Sequence, residues 1–201
     1  QKVLEAALET GGDFSELFLE DTESSNLSMI DGKLESATYK RIRGAGVRVL
    51  KGSLSAYAYT ADLSEEALIK TARAAAAVFS SPKAYTSMPI AVKQDYTQAV
   101  KRHFKDIENA HRIDLLKRMH KAAKGYSEEI SQVSSRYFDI TRRIEIFNSE
   151  GLHVSDTQPR VRVMVEAVAM KDGEAQSGFE GPGLGMGFEA FDIIDVEATA
   201  L

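Results

Sequence analysis

The side chains that do most enzyme chemistry are few in this sequence and poorly spaced for it. The four histidines are His103, His111, His120 and His153, and none lies in an H-E-x-x-H or H-E-x-x-x-H frame. A zinc site of that kind needs two ligands on one helical face and a third donor from elsewhere. His111 and His120 are nine residues apart, which at roughly 100° per residue puts them about 180° out of phase on a helix, so they do not share an ion in cis. Cysteine is absent, which removes both a thiolate site and a disulfide framework and permits a cytoplasmic location. Serines and acids are plentiful, but there is no Gly-x-Ser-x-Gly elbow. Asp172 and Glu174 fall at a turn, where carboxylates are ordinarily solvated. No catalytic residue and no metal ligand is expected in this chain.

One glycine-rich stretch remains, Gly181-Pro182-Gly183-Leu184-Gly185-Met186-Gly187. No Lys-Ser or Lys-Thr follows it, which excludes a P-loop, and a dinucleotide loop would need a parallel β-α-β unit that the pattern lacks. A flexible loop is expected. Gly181, Gly183, Gly185 and Gly187 are candidate peptide-binding residues, because glycine leaves main-chain N–H and C=O groups open to an extended peptide.

The elements that would position such a loop centre on Ile144 to Glu180, which reads as three strands joined by two turns. Val161, Val163, Val165, Ala167 and Ala169 alternate with Arg160, Arg162, Met164 and Glu166, the period of a half-buried strand. Asn148-Ser149-Glu150-Gly151 and Lys171-Asp172-Gly173 tolerate positive φ and can reverse the chain. Upstream, residues 1–10 carry Val3, Leu4, Ala7 and Leu8 at helical spacing, with Gly11-Gly12 as the stop. Strands are expected at Glu16–Glu20, at Asn26–Ile30 and Lys33–Tyr39 around Asp31-Gly32, and on either side of Lys51-Gly52-Ser53. Asp62 or Ser64 caps a helix whose stripe is Leu68, Ala72, Ala75 and Phe79. Pro82 and Pro89 bound a linker. A polar stretch from Gln94 to Asp106 leads to a helix with Ile113, Leu116, Met119 and Ala123, ended by Gly125, then to a strand over Ile130–Ile140. Phe188, Phe191, Ile194 and Ala198 predict a last helix.

The fold class is therefore α+β, with antiparallel sheets and flanking helices. Helix, strands, hairpins and helix occur twice, which reads as an internal duplication of residues 1–89 and 94–201. With 201 residues and 43% hydrophobic residues the chain can build a substantial core. A net charge of −5 without clustered Lys and Arg argues against nucleic-acid or anionic-membrane binding. No apolar run approaches the roughly 18 residues of a membrane span. The start lacks Met and a signal-peptide pattern, and the last residues stop inside a helical pattern, so a fragment of a longer protein is expected.

Gly44-Ala45-Gly46-Val47-Arg48-Val49-Leu50, followed by Ala56-Tyr57-Ala58-Tyr59-Thr60-Ala61-Asp62-Leu63-Ser64, closely resembles the TldD/PmbA family, also called modulators of DNA gyrase. Phe147-Asn148-Ser149-Glu150-Gly151-Leu152 looks like the strand-turn signature of that family, and the similarity covers nearly the whole chain. The resemblance implies a cytoplasmic metallopeptidase whose zinc sits in a C-terminal domain, on an H-E-x-x-x-H helix and a later third ligand. This chain stops before that helix, so zinc belongs to the longer protein and no cofactor to residues 1–201. Val47–Leu50 and the Tyr57/Tyr59 strand look more like the metal-bearing TldD branch than the PmbA/TldE branch.

Such proteins pair with themselves or with a paralogous subunit, as homo- or heterodimers, and degrade small unfolded peptides. Residues 1–201 would be the N-terminal domain that shapes assembly and substrate access, inactive alone. Two readings stay open: this role in an active peptidase, and the same domain in a metal-free PmbA/TldE-like partner subunit. A gyrase-binding role is the least favoured, given the acidic balance.

Overall fold

Two Asp-Gly turns set the strand pairing. Asp31 and Gly32 hold φ of 46° and 75°, and Asp172 and Gly173 hold 51° and 87°, the double positive φ of a type I′ turn, whose twist matches that of the strands it joins. The computed structural model describes residues 1–80 and 87–201. Of the linker expected between Pro82 and Pro89, residues 82–86 lie outside the described residues.

The elements in chain order are α1 (Lys2–Leu8), β1 (Phe14–Ile30), β2 (Lys33–Lys51), β3 (Leu54–Thr60), α2 (Glu65–Ala76), β4 (Val92–Asp95), α3 (Asn109–Tyr126), β5 (Ile130–Asn148), β6 (Leu152–Lys171), β7 (Glu174–Glu180), β8 (Gly183–Leu184) and α4 (Val196–Thr199). Short 3₁₀ turns occupy Phe104–Asp106 and Phe188–Asp192. The fold is α+β. Its strands share one sheet in the order β3-β2-β1-β5-β6-β4, with β7 and β8 also paired to β6. The pairing is antiparallel except for β4, which lies parallel to β6 with Val92 beside Leu152. Among the described residues no helix is long and apolar enough to cross a membrane.

Several segments differ from the sequence expectation. β1 runs unbroken through both stretches expected as separate strands, and β2 runs unbroken from Lys33 through Gly44 and Gly46 to Lys51. β5 runs unbroken to Asn148, joining the strand expected over Ile130–Ile140 to the one expected from Ile144. Gly125 does not end α3, which continues to Tyr126. The last expected helix is a 3₁₀ turn followed by the four residues of α4. β4 was not expected, and its last two residues overlap the polar stretch from Gln94 to Asp106.

The described chain divides into two compact units: unit 1 is residues 1–22, 42–97 and 142–157, and unit 2 is 23–41, 98–141 and 158–201. In unit 1, Val3, Leu4, Ala6 and Ala7 of α1 and Ala72 and Ala75 of α2 pack with Leu17, Ala45, Val47, Val49 and Ala56 of the strands. α1 stops where Gly11 takes a φ of 94°, a left-handed residue that lacks a Cβ to strain. α2 starts at Ser64, whose Oγ accepts from Ala67 N at 3.3 Å. Asp62, the other expected cap, instead accepts from Ser64 N at 2.9 Å.

In unit 2, α3 turns Leu115, Leu116, Met119 and Ala123 onto Leu27 and Met29 of β1, Val133 and Tyr137 of β5, and Val161, Val163 and Val165 of β6. The spacing of those α3 residues is the apolar stripe of an amphipathic helix. Val165 is 5% exposed and Glu166 faces outward, as the alternation predicts. Asp31 joins the turn to β5 twice, its N–H donating to Val133 O and its Oδ1 accepting from Val133 N, each at 2.9 Å.

Candidate functional site

The glycine-rich segment is a strand laid on β6 and not a free loop. Gly183 pairs with Arg162 and Leu184 with Val161. Val163 N donates to Pro182 O at 3.2 Å, and Arg162 Nε to Gly181 O at 2.9 Å. The glycines serve close approach: a Cβ at Gly187 would stand 2.4 Å from Val100 Cγ1 and 2.5 Å from Arg102 O. One at Gly183 would stand 3.0 Å from Val161 O and one at Gly181 3.0 Å from Met164 Cγ, whereas Gly185 meets nothing nearer than Pro159 O at 3.9 Å. Several main-chain groups expected to be open are thus bonded within the protein. Gly183 and Gly185 still line a cavity of about 330 Å³ with Phe138 and Arg160–Arg162.

The histidines are scattered. A Cβ at Gly32 would lie 3.2 Å from the His120 ring, whose Nδ1 is buried without a hydrogen-bond partner. His153 stacks on Phe147, centroids 4.1 Å apart, with Nε2 3.0 Å from Glu145 Oε2. Among the described residues no group of three His, Cys, Asp or Glu side chains could hold a metal ion. The described residues do not fit a zinc centre.

Unit 1 carries an apolar groove of about 500 Å³ on the sheet, lined by Phe18, Ile42, Gly44, Gly46, Tyr57 and Tyr59 among others. Tyr57 lies over Gly46, where a Cβ would stand 2.0 Å from its hydroxyl, so only glycine admits the ring. Tyr57 and Tyr59 remain 61% and 81% exposed with ring centroids 6.4 Å apart, on the terminal strand β3.

Unit 2 carries a polar cleft of about 440 Å³, walled by Ser24, Ser25, Thr38 and Lys105, with Arg112 and Asp139 among its lining. Arg112 and Asp139 form an ion pair at 3.0 Å, their side chains 5% and 4% exposed. The guanidinium is saturated: Nε and Nη2 reach Asp139 Oδ2, Nη2 also donates to Phe104 O, and Nη1 donates to Ile107 O and Asn109 Oδ1. Tyr137 Oη donates to the same Oδ2 at 2.8 Å. Burial, with the Asp139 charge beside it, pushes the Tyr137 hydroxyl far above the ordinary tyrosine range. Sequence reasoning missed this network. Neither Arg112 nor Asp139 lies in a motif, and the one available signal was that Arg112 precedes Leu116, Met119 and Ala123 on the same helical stripe.

A second buried carboxylate lies nearby in the same unit. Glu189 accepts from Arg102 N at 2.9 Å, Lys101 N at 3.2 Å and Gly187 N at 3.3 Å, tying the chain before α3 to the second 3₁₀ turn.

Residues 102–201 match the family model of the PmbA/TldA metallopeptidase central domain, and residues 15–78 match that of PmbA/TldA metallopeptidase domain 1. The chain is 21% identical over 198 residues to the metalloprotease TldD homolog of Haemophilus influenzae, covering 94% of this chain and 40% of the relative. It is 25% identical over 178 residues to a metalloprotease of Methanothermobacter thermautotrophicus, covering 88% and 38%. The fold matches that of a protein described as a modulator of DNA gyrase from Thermotoga maritima, with a TM-score of 0.72 and 21% identity over 93% of this chain and 42% of the other. It also matches TldE from Thermococcus kodakarensis, with a TM-score of 0.65 and 15% identity over 94% and 42%. The chain thus spans about two fifths of the length of these relatives, 40% in the first case and 42% in both structures.

Proposed function

The chain belongs to the PmbA/TldD metallopeptidase family, and on that premise we propose that it is the N-terminal part, domain 1 and the central domain, of a zinc-dependent enzyme that cleaves small unfolded peptides. Its part is assembly and substrate access rather than catalysis. The observation that carries this reading is the succession of two family domains along one chain, domain 1 over 15–78 and the central domain over 102–201. The zinc ligands then belong to a further C-terminal domain of the longer protein, which works in the cytoplasm as a dimer with itself or with a paralogous subunit.

The test compares the longer protein with residues 1–201 alone. Hydrolysis of an unstructured peptide by the longer protein should cease on chelation, and the 201-residue chain after dialysis should carry no stoichiometric zinc and cleave nothing. Stoichiometric zinc with chelator-sensitive cleavage by the short chain would overturn the proposal.

The fold likeness to TldE favours a second reading, in which the same domain serves a metal-free partner subunit. An H-E-x-x-x-H frame in the sequence that follows these residues separates the two. A duplicated origin of residues 1–89 and 94–201 is supported by the recurring order α1-β1-β2-β3-α2 and α3-β5-β6-β7-α4. Superposition of β1-β2-β3 on β5-β6-β7 tests it, and mismatched strand paths would sink it.

A further inference from the structure

We propose that the cleft of unit 2 binds the zwitterion of an amino acid or short peptide, its ammonium on Asp139 Oδ1 and its carboxylate on Lys105. The inference does not use the peptidase reading, and it stands or falls on the unfilled polar capacity of the cleft.

The floor supplies an acceptor and no donor. Every N–H of Arg112 is engaged within the protein, so the guanidinium has nothing left for an anion. The three contacts to Asp139, from Arg112 Nε, Arg112 Nη2 and Tyr137 Oη, all land on Oδ2. Among the described residues no donor reaches Oδ1, although the residue is only 3% exposed and lines the cleft. A carboxylate oxygen that opens onto a cleft and lacks a donor from the protein bonds most strongly to a charged donor.

The wall supplies the opposite charge. Lys105 lines the cleft on an exposed turn and makes no ion pair among the described residues. Its backbone is held in place, because Arg112 draws in the carbonyls of Phe104 and Ile107 on either side of it. Glu23, the remaining charged lining residue, is within 3.7 Å of Arg41. A lone cation would satisfy Asp139 and oppose Lys105, and a lone anion would do the reverse. A zwitterion satisfies both. The volume, about 440 Å³, lies in the range of roughly 300–1,000 Å³ typical of small-molecule sites, and Ser24, Ser25 and Thr38 can serve a peptide unit between the charged ends.

The test is titration of the ¹⁵N-labelled 201-residue chain with alanine, dialanine, N-acetyl-dialanine and dialanine amide, read at the amides of Ser24, Ala37, Lys105 and Asn109. Alanine or dialanine should move these amides saturably, and the tighter of the two fixes the ligand length. Blocking either end of dialanine should weaken binding about tenfold, the loss of one charge-assisted hydrogen bond. Lys105→Gln should abolish the preference for the free carboxylate while keeping the preference for the free amine. Ala37→Trp, which fills the cleft from an exposed strand position, should abolish the shifts. Asp139→Asn also removes the counter-charge of Arg112 and is expected to melt early, so the other two variants, with unchanged melting, carry the decision. Cleft amides that stay still up to the solubility limit of dialanine overturn the proposal. So do blocked and free peptides that bind alike, or a Lys105→Gln chain indistinguishable from the parent.

Discussion

The two units bury polar groups of different kinds. Among the described residues, those buried in unit 1 are neutral: Ser15, Thr22, Thr71, Ser87, Asn148 and Ser149. Those in unit 2 include the charged Arg112, Asp139 and Glu189. Some of the unit 1 groups serve turns and strand starts, as when Ser149 Oγ accepts from Ser15 N at 3.0 Å and Asn148 Oδ1 from Glu150 N and Leu152 N, each at 3.0 Å, while Thr71 Oγ1 donates to Ala67 O within α2. The charges of unit 2 serve the stretches that have no ladder of their own. Arg112 holds the carbonyls around one 3₁₀ turn, and Glu189 the N–H groups of residues 101, 102 and 187. Backbone left without helix or sheet partners must find others when buried, and a multivalent charged group can satisfy several at once. Irregular chain, in this molecule, is where charge goes inside.

The contrast is broken most directly at Arg112. Arg112→Ala leaves Asp139 buried without its counter-charge and frees two carbonyls, and it should cost about 3–5 kcal/mol in denaturant unfolding. Replacing the network together, as Arg112→Met with Asp139→Leu and Tyr137→Phe, should restore much of that loss, because a buried ion pair and a well-packed apolar set are of similar stability. Ser149→Ala in unit 1, removing one neutral acceptor, should cost about 1 kcal/mol. Equal losses for Arg112→Ala and Ser149→Ala would refute the contrast.

Val165→Asp probes the apolar side of the same unit. Val165 stands mid-strand among Val161, Val163 and Ala167, so the new carboxylate would be buried unpaired at a cost of about 3 kcal/mol. Glu166→Lys, on the exposed face, is the control and should stay within about 0.5 kcal/mol. A melting shift below about one degree for Val165→Asp would put the other face of β6 inward.

What could be read from the sequence divides along the same line. β6, both Asp-Gly turns, the α2 stripe as far as Ala75 and the helical class of α3 were legible, because each follows a local period or a turn rule, while Phe79 lies beyond the end of α2 at Ala76. The continuity of β2 was not: two glycines in a strand interior weaken that reading, whereas Gly46 is glycine because the Tyr57 ring occupies its Cβ position. The parallel β4 was hidden because Val92–Asp95 are exposed and carry no alternation. The segment from Phe188 to Thr199 has helical spacing, but Glu189 bonds backward to residues 101 and 102, and the chain turns as 3₁₀ instead. The candidate cleft was illegible for the same reason, since its charge pair joins residues 112 and 139 through tertiary contact alone.

Acid should weaken unit 2 through Glu189. Burial pushes its carboxyl up, but the N–H groups of Arg102, Glu189 itself, Lys101 and Gly187 outweigh that and hold it below the usual carboxylate range. A folded-state value below the unfolded one, about 4.3, means a contribution present above that pH and lost as the pH falls through the folded value. The Tm difference between the parent chain and Glu189→Gln should therefore shrink on acidification. A difference independent of pH would show that the charge of Glu189 is not what holds the segment.

A small effect is also expected in unit 1, at the start of α2. Ser64 Oγ accepts from Ala67 N at 3.3 Å, and Asp62 Oδ1 accepts from Ser64 N at 2.9 Å, both at exposed positions. Four N–H groups open every helix without internal partners, and at an exposed end water replaces a lost cap in part. Ser64→Ala should then cost about 1 kcal/mol, with Ser64→Asp close to neutral because aspartate also accepts from the third residue on and its charge suits a helix N-terminus. Thermal denaturation of the two variants beside Arg112→Ala decides the point. A loss at Ser64→Ala rivalling that at Arg112→Ala would mean that neutral, local capping holds this chain as firmly as its buried charges do.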